Sequence, residues 1–380
     1  MLKFRNVTSL RPILAASIFL LALGVCGLGV SLASCSTSGA PSGAPSAPAT
    51  QPAGIVSISG NRLLRDGALW VPHAVQLVAF VAPPSAQRPP FTAAYAHYST
   101  AELAAIKGWG ADSIRFQISQ PGADPQNPRY DSAFVQTAVG AVKAARSLGL
   151  NVIVSIQDES QSGETSPTPL PNAATNRVWR NLAPMLNGDN GIIYEMFNEP
   201  QPAPNAANWQ QWTFAMNVVV KTIRSTGATN TLLADGLRFA ESLNGVVPLT
   251  DPLNQVFYSS HPYFHSAANQ MQSTWAKKFG NLAATAPVII GEWTTATTYY
   301  CDANTPTAGL QLLQYIQSLH IGLVAVTYDF GLPTYGGIVS DYNGTPTTLA
   351  NGIACGATSF GPGMLIQSWY KTGAVPSKLQ

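Results

Sequence analysis

Eight short apolar segments recur along the chain between residues 74 and 328, each bounded by glycine, proline or polar residues. A short continuous apolar run is typical of a strand that is buried on both faces, as in a parallel sheet. We therefore predict eight strands, within residues 74–80, 111–118, 151–156, 191–200, 231–234, 255–259, 288–291 and 323–328.

Helical periodicity fills most of the intervals between these strands. The clearest case is 132–147, where Phe134, Ala138 and Ala141 fall on one face and Gly149 closes the helix. Alternating strands and helices predict a parallel (β/α)8 barrel, the α/β TIM barrel. A doubly wound open sheet is the alternative, but no glycine-rich nucleotide-binding turn follows the first strand. Further helices are predicted over residues 99–107, 173–186, 208–225, 269–279, 307–319 and 362–370.

A different pattern precedes the first barrel strand. Three apolar runs over residues 55–58, 62–65 and 68–71 are separated by Gly60-Asn61 and Asp66-Gly67. Asparagine or aspartate beside glycine favours tight hairpin turns. The pattern predicts a small N-terminal β-hairpin cap that covers the bottom of the barrel.

The N-terminus of the chain indicates export. Lys3, Arg5 and Arg11 precede an apolar stretch over residues 13–32, which is the arrangement of a signal peptide. Small residues lead directly into Cys35, as they do in a bacterial lipoprotein signal, so we predict that Cys35 becomes the lipidated first residue. An ordinary signal peptide that is cut nearby, or an uncleaved membrane anchor, is the alternative.

Composition divides the chain into three parts: a signal peptide over 1–35, a tether over 36–53 and a folded domain over 54–380. The tether is almost entirely Ser, Gly, Ala, Pro, Thr and Gln, which predicts a flexible segment. Only Cys301 and Cys355 then remain in the folded domain, and outside the cytoplasm we expect them to form a disulfide. The net charge of +2 with 10% charged residues argues against a nucleic-acid partner.

Two of the predicted strands end in a glutamate. Glu199 follows the fourth strand in the sequence Asn-Glu-Pro, and Glu292 follows the seventh in Gly-Glu-Trp. Barrel enzymes keep their chemistry at the C-terminal ends of the strands. Each glutamate alone is most simply part of a turn, but together they form the pair that glycoside hydrolysis needs.

From Gly54 to Tyr370 the chain resembles glycoside hydrolase family 5, the cellulase-type retaining barrels. The motifs that carry the resemblance lie at strand ends in the family's order: Ile114-Arg115-Phe116, Asn198-Glu199-Pro200, His261-Pro262-Tyr263 and Gly291-Glu292-Trp293. Each motif is unspecific by itself, whereas the ordered set is specific.

The resemblance implies that Glu199 is the general acid/base and Glu292 the nucleophile. Retaining hydrolysis needs one carboxyl group that is protonated near neutral pH and another that stays ionised. It also implies that Asn198 hydrogen-bonds the 2-hydroxyl of the sugar and that Arg115 keeps Glu292 ionised.

Two further residues are assigned to the site by the same resemblance. Tyr263 would donate its hydroxyl to the Glu292 carboxylate, and His261 would line the site. His261 and His265 are four residues apart, but they flank a proline at a strand end and do not lie on a helix, which argues against a zinc site.

The chain departs from the family pattern at two positions. Gln157 stands after the third strand where the family commonly has a histidine, and it can donate a hydrogen bond but carries no charge. Tyr328 is the predicted occupant of the family's sugar-binding tryptophan position at the eighth strand. Aromatic residues of the seventh and eighth loops are candidate sugar-stacking platforms: Trp293, Tyr299, Tyr300, Phe330 and Tyr335.

These observations predict a retaining β-glycoside hydrolase with endo-β-1,4-glucanase activity, bound to the cell envelope through its lipid anchor. A β-mannanase or another hemicellulase of the family is the alternative, and a non-catalytic carbohydrate-binding surface lipoprotein is a further one. A structural envelope lipoprotein would explain the tether but none of the strand-end residues. The mechanism requires no metal and no organic cofactor. We expect a monomer whose partner is a β-linked polysaccharide or oligosaccharide.

Overall fold

The computed structural model describes residues 53–89, 91–164, 166–295, 299–329 and 337–379. The predictions for the signal peptide, for Cys35 and for nearly all of the tether fall outside the described residues. The same holds for two of the candidate platforms, Phe330 and Tyr335.

Eight parallel strands form a closed barrel, which confirms the predicted (β/α)8 fold. Their hydrogen-bonded neighbours follow chain order, and the last strand closes against the first. The barrel strands are β4 (His73–Phe80), β5 (Ser113–Ser119), β6 (Asn151–Gln157), β7 (Ile192–Glu195), β8 (Leu232–Asp235), β9 (Val256–Ser260), β10 (Val288–Trp293) and β11 (Gly322–Ala325).

Helices follow most of these strands and cover the outside of the barrel. They are α1 (Thr100–Trp109), α2 (Gln120–Ala123), α3 (Ser132–Ser147), α4 (Ala173–Leu186), α5 (Ala206–Ser225), α6 (Gln272–Trp275), α7 (Thr305–Ser318) and α8 (Gly363–Thr372). None of the helices in the described ranges combines the length and the apolarity needed to cross a bilayer.

Local sequence explains where the helices begin and end. Ser99 and Glu102 form a reciprocal capping box at the start of α1, which Gly110 ends in a left-handed conformation. Asp131 caps α3 by accepting hydrogen bonds from the first backbone N–H groups. Asn172 caps α4, so the helix starts at the predicted residue.

Two elements differ from their predicted form. The single helix predicted over 269–279 is divided into the short α6 and a π-helical turn, Ala276–Gly280. The eighth strand was predicted to reach Tyr328, but β11 ends at Ala325 because the chain leaves the parallel ladder there.

The predicted hairpin cap is present as three antiparallel strands, β1 (Val56–Ser59), β2 (Arg62–Arg65) and β3 (Ala68–Leu69). Its apolar side chains Val56, Leu63 and Trp70 are buried. They pack against a layer of residues inside the N-terminal end of the barrel: Ala74, Ile153, Ile193, Leu233, Phe257, Ile289 and Val324. The cap therefore closes the N-terminal end of the barrel, and the C-terminal end is where a substrate can enter.

A second small hairpin, β12 (Ile353–Cys355) and β13 (Thr358–Phe360), lies beyond the eighth barrel strand. Cys355 forms the predicted disulfide with Cys301, which follows the seventh strand 54 residues earlier. The bond links two neighbouring loops at the C-terminal rim of the barrel, next to the strand that carries Glu292.

Candidate active site

Arg115 is the centre of a polar layer at the C-terminal end of the barrel. It lies on β5 and is completely buried, a state that a guanidinium tolerates only with several acceptors. Its Nε and one terminal nitrogen donate to both carboxylate oxygens of Glu195 on β7, at 2.6 and 2.5 Å. The other terminal nitrogen donates to Gln76 on β4 and to Glu292 on β10, both at 2.5 Å. Arg115 thus connects four strands.

Glu292 is held by three donors. Arg115 donates to its Oε1, Gln117 donates to the same oxygen at 2.9 Å, and the Tyr263 hydroxyl donates to Oε2 at 3.0 Å. Burial raises the pKa of Glu292 above its ordinary value, and the charge and hydrogen bond of Arg115 oppose this rise. These contacts favour the ionised carboxylate and fix its orientation.

Glu199 has different surroundings. Its backbone has a left-handed φ of 52°, and its N–H donates to Asp235 at 3.0 Å. Burial, followed by the charges of Glu159, Glu292 and Asp235, raises the pKa of Glu199 well above its ordinary value. No arginine nitrogen within the described residues forms a hydrogen bond with this carboxyl group. These surroundings favour the protonated form of Glu199 more strongly than that of Glu292.

His261 lies beside Glu199 and is fully buried, with Nδ1 3.0 Å from Glu199 Oε1. Burial and the charge of Arg115 lower its pKa well below the ordinary value, so the imidazole is neutral. A Cβ atom at Gly291 would lie 2.7 Å from His261 Nε2 and 2.1 Å from Ser259 Oγ. Only glycine at this position lets β10 approach the imidazole so closely.

One oxygen of Glu199, one oxygen of Glu292 and a nitrogen of His261 lie within 4.8 Å of one another. Such a short separation matches a retaining glycosidase, in which the carboxyl groups are about 5–5.5 Å apart, and not an inverting one. The same three atoms are close enough to hold a cation. A metal ligand must be deprotonated, however, and Glu199 is in surroundings that favour its proton. The donor set therefore fits proton transfer and nucleophilic attack better than metal binding.

Two connected spaces lie above these residues. An inner cavity of about 100 Å³ is lined by both glutamates together with Gln117, Gln157 and Asn198. An open cleft of about 620 Å³ is lined by Glu199 but not by Glu292. The cleft also includes Phe239, half of whose side chain is exposed. Glu199 thus stands at the boundary between the two spaces.

The remaining predicted site residues are placed as follows. Asn198 accepts a hydrogen bond from Arg115 at 2.6 Å and faces the inner cavity. Gln157 is buried in the same cavity, and in the described structure its Oε1 has no hydrogen-bond partner. Tyr299 borders both spaces. Tyr300 is partly exposed on the rim, where its hydroxyl donates to Asp302.

The predictions for Trp293 and Tyr328 are wrong. Trp293 is fully buried and packs edge-on against Phe264, because neighbouring residues of a strand point to opposite sides and Glu292 points inward. Tyr328 packs its ring edge against Trp109. Val326 and Thr327 line the cavity from the eighth strand instead.

Sequence reasoning missed several polar residues of the site. Glu195 and Asp235 are completely buried below Glu199, and Glu159 lines the inner cavity. Glu195 had a usable signal, since a carboxylate within an apolar strand requires a buried cationic partner. Gln117 is two residues beyond Arg115 on β5, so period-2 alternation would have located it. Gln76 lies opposite Arg115 on β4, a pairing that only the structure reveals.

The family model described as cellulase (glycosyl hydrolase family 5) matches residues 86–330 of this chain. A manganese-dependent endoglucanase from Phanerodontia chrysosporium is 28% identical over 142 residues, which cover 33% of this chain and 35% of that protein. The chain thus aligns with about a third of the length of this curated relative.

Two solved structures share the fold. A β-glucanase from Saccharophagus degradans, in complex with cellotetraose, is 19% identical with a TM-score of 0.62, covering 78% of this chain and 90% of that chain. A β-mannanase from Thermomonospora fusca, in a mannotriose complex, is 16% identical with a TM-score of 0.54, covering 78% and 92%. At these identities the likeness concerns the barrel fold alone.

Proposed function

Because this chain belongs to glycosyl hydrolase family 5, we propose that it cleaves internal β-1,4 bonds of a glucan with retention of anomeric configuration, as an endoglucanase. The family match confirms the resemblance that the strand-end motifs predicted. The observation that carries the proposal is the pair of carboxyl groups within 4.8 Å, one in proton-favouring surroundings and the other held by Arg115 and Tyr263.

The geometry supports a two-step mechanism. Glu199 gives its proton to the glycosidic oxygen while Glu292 attacks the anomeric carbon, so the C–O bond to the leaving sugar breaks and a glycosyl ester forms. Glu199, now ionised, takes a proton from a water molecule. That water attacks the same carbon and releases Glu292. The second step restores both carboxyl groups to their starting states.

Neighbouring residues assist each step without exchanging protons. Arg115 and Gln117 stabilise the Glu292 carboxylate when the ester breaks, because their hydrogen bonds are strongest to the charged form. Neutral His261 orients the Glu199 carboxyl group through the contact at Nδ1. Asn198, fixed by Arg115, offers its amide N–H to the sugar 2-hydroxyl.

The two spaces support one orientation of the substrate. The bond-breaking carbon must contact Glu292, which in the described structure lines the inner cavity and not the open cleft, so we expect the glycone sugar in that cavity. The leaving sugar must be on the side of the acid, and the open cleft contains Glu199 without Glu292. Phe239 offers that sugar an exposed ring. The open cleft leaves room for further sugars on the leaving side of the bond.

The second candidate is a β-mannanase, since a mannanase barrel is among the folds that this chain resembles. Incubating the residue 54–380 domain with barley β-glucan, carboxymethyl cellulose, mannan and xylan distinguishes the candidates. Endoglucanase action predicts a rapid fall in the viscosity of the β-1,4-glucans, and NMR of the first products should show the β-anomer. Mannan as the best substrate would establish the alternative, and an inverted product would contradict the mechanism.

The relative from Phanerodontia is named as manganese-dependent, but the protonated state favoured for Glu199 supports metal-independent hydrolysis here. Activity should survive dialysis against EDTA, and added Mn²⁺ should not raise it. A loss that Mn²⁺ alone restores would assign Glu199, His261 and Glu292 to a metal site instead.

For location, we propose that Cys35 carries a lipid that attaches the enzyme to the cell envelope. The support is the signal-like sequence before Cys35 and the Pro-, Ser- and Gly-rich tether after it. Cys35→Ala should move the protein from the membrane fraction to the soluble fraction with unchanged specific activity. An unchanged membrane fraction would favour an uncleaved anchor over residues 13–32.

A further inference from the structure

A third carboxyl group shares the inner cavity with the two glutamates. Glu159 is the second residue after β6, the third barrel strand, and it lines the cavity together with Glu199 and Glu292. The family resemblance assigns it no role. Like Glu199, it follows the C-terminal end of a barrel strand, so both side chains face the inner cavity.

The contacts of Glu159 tie it to the acid/base side of the site. Asn198, the residue before Glu199, donates its side-chain N–H to Glu159 Oε1 at 2.5 Å. Gln161 donates to Oε2 at 3.2 Å. The Glu159 carboxyl group faces the same cavity as that of Glu199, and the charge of Glu159 raises the pKa of Glu199. Two carboxyl groups can share a hydrogen bond only when one of them carries a proton.

The charged groups around Glu159 come from several strands. Glu292 faces it across the cavity, while Arg115 is separated from it by Asn198 and already pairs with Glu195 and Glu292. The direct donors to Glu159 are amides, which supply no compensating charge. Burial and the charge of Glu292 raise its pKa to about 7.

We propose that Glu159 is a positioning residue that shares one proton with Glu199 and thereby keeps the catalytic acid protonated at neutral pH. Two like charges that face one small cavity cannot both be present at low cost, so the pair retains one proton to a higher pH than either group alone. The hydrogen bond from Asn198 places the negative member on Glu159, which leaves the proton on Glu199, beside the leaving oxygen. This inference rests on the retaining mechanism proposed above.

The test is the pH dependence of kcat/KM for Glu159→Gln, which removes the charge but keeps the size and one acceptor of the side chain. Without the neighbouring charge, ionisation of Glu199 becomes easier. The basic limb, which reports loss of the proton from the acid, should move down by about one pH unit. Glu164→Gln is the matched control, because Glu164 lies on the same loop but contacts Arg129 and Asn127 outside the cavity. Its profile should match that of the wild type.

A double variant shows whether Glu159 changes the pKa of Glu199 or that of Glu292. In Glu199→Ala, assayed with an activated aryl glycoside, the additional change Glu159→Gln should leave the basic limb unmoved. A shift that persists there, or an unmoved limb in Glu159→Gln alone, would overturn the inference. If the wild type is active and retaining, either of these results contradicts only the role of Glu159. If the wild type is inactive or inverts the anomeric configuration, the proposed mechanism is contradicted as well.

Carboxyl titration by NMR provides a readout that needs no activity. In protein labelled with ¹³C at the glutamate carboxyl carbon, the Glu199 signal is identified by its loss in Glu199→Gln. Its titration should move to lower pH in Glu159→Gln and stay in place in Glu164→Gln. An unchanged Glu199 titration in a folded Glu159→Gln variant would contradict proton sharing.

Discussion

On strand β7, Ile193 and Glu195 are two residues apart and both point into the barrel, yet they meet opposite surroundings. Ile193 is buried among the apolar side chains that contact the hairpin cap. Glu195 is equally buried but lies in the ion pair with Arg115. The lower layer stabilises the barrel by excluding water. The upper layer buries charges, which carries a large desolvation cost, and its arrangement is explained by the chemistry at Glu199 and Glu292.

The largest effects on activity should come from substitutions at the C-terminal end of the barrel. Glu292→Ala should abolish turnover on every substrate, because this carboxylate forms the covalent bond to the sugar. Glu199→Ala should reduce hydrolysis of an unactivated glucan by about 10²–10⁴-fold, the usual contribution of a general acid, and should affect an aryl glycoside with a good leaving group much less. Initial rates on both substrate types measure the contrast.

Azide distinguishes the two roles. With Glu199→Ala, azide should react with the accumulated covalent intermediate and yield the β-glycosyl azide. With Glu292→Ala, it should replace the nucleophile and yield the α-azide. Products formed the other way round would reverse the assignment of the two glutamates.

The disulfide at the C-terminal rim of the barrel should stabilise the folded domain. Replacing Cys301 and Cys355 by serine should lower the free energy of unfolding by about 4 kcal/mol, the chain-entropy value for a loop of this length. Urea unfolding of the exported domain measures the difference, and a thiol titration of the unfolded wild type should find no free cysteine. Two free thiols would show that the bond does not form in the exported protein.

Ile193→Ala tests the lower end. A cavity in the apolar layer should lower the free energy of unfolding by about 2–5 kcal/mol, while kcat of the folded enzyme stays within about twofold. Glu195→Gln, two residues along the same strand, should reduce kcat as well as stability, since buried Arg115 loses a charged partner. Urea unfolding and turnover are measured on both variants, and a loss of kcat in Ile193→Ala as large as in Glu195→Gln would contradict the division.

The smallest effect is expected at Gln157. Its Oε1 has no partner in the described structure and faces the cavity, so it can accept a hydrogen bond from a sugar hydroxyl. Gln157→Ala should raise KM about 2–10-fold, the value of one neutral hydrogen bond, and leave both limbs of the pH–rate profile in place. A displaced limb would mean that Gln157 takes part in the proton network.

The strands and the helices that could be predicted are those with local signals. Buried parallel strands produce apolar runs, and capping residues such as Asn172 define helix starts, so α4 was located to the residue. The two glutamates could be placed because each follows such a run. The form of the segment predicted as one helix over residues 269–279 could not be predicted, because tertiary packing divides it into an α-helical and a π-helical turn.

The supporting residues were harder to predict because their partners are distant in sequence. Arg115 and Glu195 are 80 residues apart, and only the closure of the barrel brings them together. Glu159 follows the third strand, whose predicted end was Ile156 and whose observed end is Gln157, and only Gln157 was considered as a site residue there. The error at Trp293 was avoidable, since placing Glu292 inside the barrel already placed its neighbour outside.

The surplus of carboxyl groups around Arg115 also has a consequence for which polymers can bind. Five carboxyl groups lie around the Arg115 guanidinium and the neutral His261 imidazole. They belong to Glu159, Glu195, Glu199, Asp235 and Glu292. A uronic acid unit would bring a further carboxylate into this region and be repelled over several ångströms of poorly screened space. We therefore expect this polar layer to favour uncharged sugars over pectin-like or alginate-like chains.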